Sequence, residues 1–179
     1  MKTYNVNVLQ NVKNSTMKDV RDITSVFKKI KSGELKNKID AIRSANDKAK
    51  ITLLKESLPS FTVSATFSDR RIKENVKDYN GIIHLDYDGV DNPEQLKGEV
   101  SKLETTFCAF TSPGGKGLKV FIKTNGALET HEISFSELRK LYDTCVGVES
   151  DRSVKDVTRL CYASSDSYLN LNNESIEFD

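Results

Sequence analysis

The sequence predicts an α+β fold with a mixed or antiparallel sheet. Three observations carry this: helical periodicity fills residues 15 to 57, short strands alternate with short helices from residue 80, and one strand pair is joined by the brief glycine-rich segment "SPGGKG". The 179 residues, 37% hydrophobic and 30% charged, suffice for one domain with a real core. We therefore expect a single domain over 1–179, with a mainly helical region at 1–58 and an α+β core at 59–179.

The elements follow from local pattern. A short strand is expected at 3–9. In "STMKDVRDITSVFKKIKSGEL" the residues Met17, Val20, Ile23, Val26, Phe27 and Ile30 recur at helical spacing, with Ser15 or Thr16 as the cap and Gly33 as the stop. Residues 35–57 continue as helix in two pieces, broken near Asn46 and Asp47, and Leu58-Pro59 closes the region. "SFTVSATFS" alternates as a strand does. Strands are then expected at 81–87, 106–111 and 117–123, the last two as an antiparallel hairpin, with a helix at 93–104. A second helix at about 131–145 takes Ile133, Phe135, Leu138, Leu141 and Tyr142 as its apolar side. Short strands near 146–149 and 159–163 and a tail strand at 175–178 complete the expectation.

Composition narrows the function classes. No apolar run approaches the roughly 18 to 20 residues that span a bilayer, and Met1 is followed by polar sequence, so a soluble cytoplasmic protein that meets no membrane is expected. Cys108, Cys145 and Cys161 are odd in number, widely spaced and set among apolar neighbours, which reads as core packing. Two histidines and no CxxC argue against zinc. Charge is uneven: residues 1–80 carry 17 Lys and Arg against 9 Asp and Glu, and residues 81–179 carry 10 against 17. A basic half beside an acidic half suits a protein that holds a polyanion next to metal ions, although two solvated helix surfaces would give the same counts.

Three segments have residues suited to chemistry. In "GIIHLDYDGVDNP" the carboxylates Asp86 and Asp88 are two apart on a strand, so they share a face and can hold one or two divalent cations; a strand ending in a polar turn is the plainer reading. In "TSPGGKGLKVFIK" the glycines let the backbone approach an anion, and Ser112, Lys116 and Lys119 add a hydroxyl and positive charge. It is not a P-loop, since GxxxxGK[ST] is absent, and a simple hairpin turn would look alike. Lys119, among Leu118, Val120 and Phe121, needs an anionic partner. In "ESDRSVKDVTRLCYASSD", Asp151 offers a third carboxylate and Arg159 a phosphate ligand, while Asp156 and Arg159 read equally well as a structural salt bridge.

In this order, the three segments resemble the catalytic core of the archaeo-eukaryotic primase superfamily, the primase-polymerases, and more narrowly the VirE-type N-terminal domains of mobile-element and phage replication proteins. The resemblance runs from about Lys55 to Asn172 and implies an RRM-like catalytic unit. It places the family's first motif, hhDxD, on Asp86 and Asp88 as metal ligands. The Ser/Gly-rich second motif falls on Ser112, Gly115, Lys116, Gly117 and Lys119 as nucleotide-binding residues, with Lys119 where many members have histidine. The third motif falls on Asp151, with Arg159 the basic residue after it.

What the resemblance implies is metal-dependent nucleotidyl transfer. Asp86, Asp88 and Asp151 would hold two Mg²⁺ or Mn²⁺ ions, nucleoside triphosphates and a DNA template would be the partners, and a helicase domain or protein would be associated. Arg70, Arg71 and Lys73 are our candidates for contacting the template. Two other readings stay open: a nucleotide- or DNA-binding replication module without catalysis, and a haloacid-dehalogenase-type phosphatase, for which "HLDYDGV" would be the nucleophile strand of a parallel, doubly wound sheet.

Overall fold

A computed structural model describes residues 2–13 and 17–179. The expected Ser15 or Thr16 cap lies outside the described residues. Strand β1 (Asn5–Leu9) pairs antiparallel with β2 (Val20–Asp22), and helix α1 (Ile23–Ser32) starts directly after β2. This corrects the expected helix start: Val20 is in an edge strand with half its surface exposed, and Met17 packs away from α1 against Leu9 and Phe67. Asp22 caps α1 instead, its carboxylate accepting from the Thr24 amide at 2.7 Å. Ile23, Val26, Phe27 and Ile30 then fall on one buried face, and Gly33 ends the helix with φ of 79°.

Helices α2 (Lys36–Ser44) and α3 (Lys48–Glu56) follow, broken where expected, with Asp47 capping α3. "SFTVSATFS" forms two short strands, β3 (Ser60–Thr62) and β4 (Ala65–Phe67), because the chain changes sheets between them. β4 pairs with β5 (Val76–Tyr79), which the sequence reading missed. The remaining elements are β6 (Ile82–Asp88), α4 (Pro93–Val100), β7 (Thr106–Thr111), β8 (Gly117–Lys123), α5 (His131–Val146), β9 (Leu160–Tyr162) and β10 (Asn170–Leu171). The expected strand at 146–149 is instead the end of α5 and a loop, since Gly147 adopts φ of 68° there. The tail at 175–178 makes one bridge, Phe178 to Thr124.

Two four-stranded sheets result, ordered β2-β1-β3-β9 and β10-β7-β8-β6, beside the β4-β5 pair; every strand pair among the described residues is antiparallel. This α+β architecture differs from the parallel, doubly wound sheet that the phosphatase reading requires. On β6, Ile83, Leu85 and Tyr87 pack with α4 and α5. The opposite face carries Ile82, His84, Asp86 and Asp88. Ile82 joins the core in which Phe27 of α1 and Phe61 of β3 pack edge-on and Phe110 and Phe121 stack, so α1 and the first sheet close over this face. Truncating Phe27 at the centre of that cluster would cost about 3–5 kcal/mol.

On α5, Phe135, Leu138 and Tyr142 are buried as expected, but Ile133 and Leu141 are exposed by about half, and His131 and Ser134 take inward positions instead. Cys108 and Cys161 are core residues; Cys145, at the end of α5, is exposed, correcting its assignment. Among the described residues no helix is long and apolar enough to cross a membrane.

Candidate phosphate and metal site

The site lies at the end of β6. The β6–β8 register sets Asp86 opposite Lys119 and Asp88 opposite Gly117, so the paired carboxylates and the glycine-rich turn face each other across one ladder. Lys119 donates to Oδ2 of Asp86, and both side chains are about nine-tenths buried. Burial pulls the Lys119 ammonium down, but Asp86 and, more weakly, Asp88 outweigh it and the net shift is upward. The lysine has the anionic partner that its apolar neighbours demand. Oδ1 of Asp86 is buried without a hydrogen-bond partner among the described residues. Asp88 is more exposed; burial raises its carboxyl, and the charges of Asp86 and Asp151 raise it further against Lys119 and Lys55.

Asp151 comes alongside because its backbone N–H donates to the Asp86 carbonyl at 2.8 Å. Its carboxylate is already engaged: Oδ1 accepts from the Ser153 amide and Oδ2 from the Ser153 hydroxyl, each at 2.8 Å. The Ser153 amide is the main reason its carboxyl is held below the ordinary value. Among the described residues no group of three His, Cys, Asp or Glu side chains is close enough to hold a metal ion. The three acids are therefore neighbours without forming a closed ligand shell. Beneath them His84 is buried, stacked on Phe121 at 5.1 Å, and burial lowers its pKa well below the ordinary value.

The turn has a defined shape. Ser112 N–H donates to the Gly117 carbonyl at 2.8 Å, and Gly115, at φ of 76°, donates to the Ser112 carbonyl at 2.9 Å. The Gly115 N–H is thus spent closing the turn and is no free donor to an anion, which corrects its expected use. Gly117 is required by space, because a Cβ there would come within 2.6 Å of the Tyr87 carbonyl. Lys116 is exposed and Ser112 nearly buried.

Two cations not anticipated from the sequence complete the site. Arg43 of α2 donates to the Ser112 and Pro113 carbonyls at 3.2 and 3.4 Å, clamping the turn. The ammonium of Lys55 on α3 lies 3.4 Å from where a Cβ on Gly114 would be. Their only signal in the sequence is the basic excess of the first half, which does not single them out.

Arg159 pairs with Asp156 at 2.9 Å and donates to the Ser153 carbonyl, so it braces the loop that presents Asp151; the structural reading of that pair is the one seen. Arg70, Arg71 and Lys73 follow β4. The Arg71 guanidinium is partly buried, which lowers its pKa, and it donates to the Thr158 carbonyl, again bracing a loop. Arg70 and Lys73 are exposed, and Arg70 lines a separate cavity with Lys13, Met17 and Ile72.

Residues 53–169 match the family model described as BT4734-like, N-terminal domain, a span holding most of the chain, including Asp86, the turn and Asp151; the chain belongs to that family. No curated protein and no solved structure matches it.

Proposed function

We propose that this chain is a nucleotidyl-transfer domain of the primase-polymerase type, which binds a nucleoside triphosphate between Asp86 and Asp88 and the turn 112–117. The observation that supports this reading most is the cross-strand register that sets two carboxylates directly opposite Lys119 and Gly117. Acids beside cations and a glycine turn suit a metal–triphosphate, which brings both signs of charge.

The donor set suits Mg²⁺ or Mn²⁺. Asp86 has a buried oxygen with no hydrogen-bond partner among the described residues, Asp88 stands two residues on along the strand, and Mg²⁺ commonly takes only one or two carboxylates, with water and substrate phosphate supplying the rest. When bound, the ion would neutralise phosphate charge and favour ionisation of the attacking hydroxyl. Lys119 and Lys55 would hold phosphate oxygens by charge, and Arg43 would fix the turn so that Ser112 and Lys116 face the substrate. Primer extension with Mg²⁺ or Mn²⁺ tests the proposal: product with the natural chain and none with Asp86→Ala is the expected result, and no product from either removes catalysis from the account.

A second reading, a nucleotide- or DNA-binding module without catalysis, is favoured by one observation. Lys119 occupies one oxygen of Asp86, and Ser153 occupies both oxygens of Asp151, so the acids are partly satisfied within the protein. Triphosphate binding without any extension product would select it.

A further inference from the structure

Between the end of β1 and the segment that joins β4 to β5 lies a cleft of about 220 Å³, and none of its lining residues belongs to the site at Asp86. Its walls are aliphatic, formed by Leu9, Val12, Met17, Ile72 and Leu160. Leu9 and Met17 are buried, whereas Ile72 is 45% exposed, so apolar surface runs from the core out to the rim. The volume is below the range of about 300–1,000 Å³ usual for small-molecule sites and suits one large apolar side chain. An anchor side chain entering such a pocket is how a protein interface concentrates its affinity.

The charges around the cleft have one sign. Lys13, Arg70 and Arg71 line it, with no acidic side chain among the described lining residues. Lys13 is neutralised by Glu56 at 2.9 Å, but the two arginines keep their charge. Arg70 is exposed, and its side chain has no hydrogen bond or ion pair among the described residues. The Arg71 guanidinium is partly buried and fixed by the Thr158 carbonyl, while Asp156, the acid whose charge acts on it, is paired with Arg159 instead. Burial lowers the Arg71 pKa, as it does for a cation that gives up water without gaining a carboxylate.

Fixed cations beside an apolar pocket select a partner that brings carboxylates and an apolar side chain together. A nucleic acid would supply negative charge, but no aromatic ring lines the cleft among the described residues, so a base would have nothing to stack on. Clustered arginines that read acidic segments are a recurring mode of peptide recognition, and here the pocket adds an anchor point.

We infer that this cleft docks an acidic segment of a partner protein, one apolar side chain of the segment filling the pocket while flanking carboxylates meet Arg70 and Arg71. The inference is independent of the nucleotide reading. It assigns to a protein partner two arginines that the sequence offered to a template.

The test is an array of peptides of about ten residues, aspartate and glutamate throughout except for one varied central position, probed with the natural chain, Arg70→Glu and Lys140→Glu. Lys140 is exposed on α5 and does not line the cleft, so the two substitutions change the net charge equally and differ only in place. The natural chain and Lys140→Glu should retain peptides with leucine, isoleucine, methionine or phenylalanine at the centre and release those with alanine or lysine there. In fluorescence anisotropy, Arg70→Glu should weaken the retained peptides by about tenfold and reduce the salt dependence of binding. Ile72→Ser should weaken them several-fold and leave the salt dependence unchanged. Arg70 and Ile72 are both exposed, so neither substitution unfolds the chain. An alanine-centred peptide held as well as a leucine-centred one overturns the inference, as does an equal loss in Arg70→Glu and Lys140→Glu, or retention of no peptide. A labelled oligothymidylate of similar length that binds more tightly than any peptide, and is lost in Arg70→Glu, overturns it in favour of a nucleic acid.

Discussion

The ammonium of Lys119 is the cross-strand partner of the Asp86 carboxylate, and each neutralises the other inside a nearly dry ladder. Such a pair contributes little net stability compared with apolar residues, but breaking it leaves an uncompensated charge. Asp86→Asn should therefore cost about 3 kcal/mol, while the double variant Asp86→Leu/Lys119→Met should recover most of it. Urea denaturation of the three proteins checks this.

The turn depends on Gly117. Gly117→Ala drives a methyl against the Tyr87 carbonyl and close to the Ser112 hydroxyl, so the ladder must open there. We expect a loss of about 1–3 kcal/mol, read by thermal unfolding, with triphosphate affinity lost alongside. By contrast, Gly89, whose added Cβ would meet nothing within 4 Å, is held only by its φ of 65°. Gly89→Asn should therefore cost much less, because asparagine tolerates that backbone region.

Arg43 acts on the turn through its planar fork. Arg43→Lys keeps the charge but gives up the paired contacts to the Ser112 and Pro113 carbonyls. Stability should change by less than about 1 kcal/mol, since these are two partly exposed hydrogen bonds, whereas triphosphate affinity measured by calorimetry should fall several-fold.

Acid should unfold the protein through its buried histidines. Burial lowers His131 to about 4, and its Nδ1 shares a hydrogen bond with the Tyr79 hydroxyl at 3.0 Å. In the unfolded chain it titrates near 6.5, so protons bind the unfolded state first as pH falls. The stability it provides is complete above 6.5 and is lost progressively down to about 4, a total of about 3 kcal/mol. His84 adds to the loss in the same direction. The urea midpoint should fall across this window, and His131→Gln, which keeps an acceptor for Tyr79, should flatten part of the fall.

What could be read in advance follows physical range. The β6 strand, the β7–β8 hairpin, the break between α2 and α3 and the pairing of Asp156 with Arg159 are set by near neighbours in sequence, and period and turn chemistry expose them. The start of α1 was misplaced because Val20 fits both the helical period and a strand, and only pairing with β1 decides between them. β5 was missed because its burial is partial on both faces, which leaves no clean alternation. At the site, Asp86, Asp88 and Lys119 share one ladder and were legible together. Arg43 and Lys55 reach the turn from helices far back in the chain, and the engagement of Asp151 by Ser153 is a matter of side-chain geometry that spacing does not encode.

The central claim is that Asp86 and Asp88 and the turn bind a metal–triphosphate as one unit, and calorimetric titration of a nucleoside triphosphate with Mn²⁺ and with EDTA tests it most directly. The account predicts binding at least tenfold tighter with Mn²⁺, with that difference abolished in Asp86→Asn/Asp88→Asn. Equal affinity in Mn²⁺ and EDTA, or a Mn²⁺ effect that survives the double substitution, would contradict it.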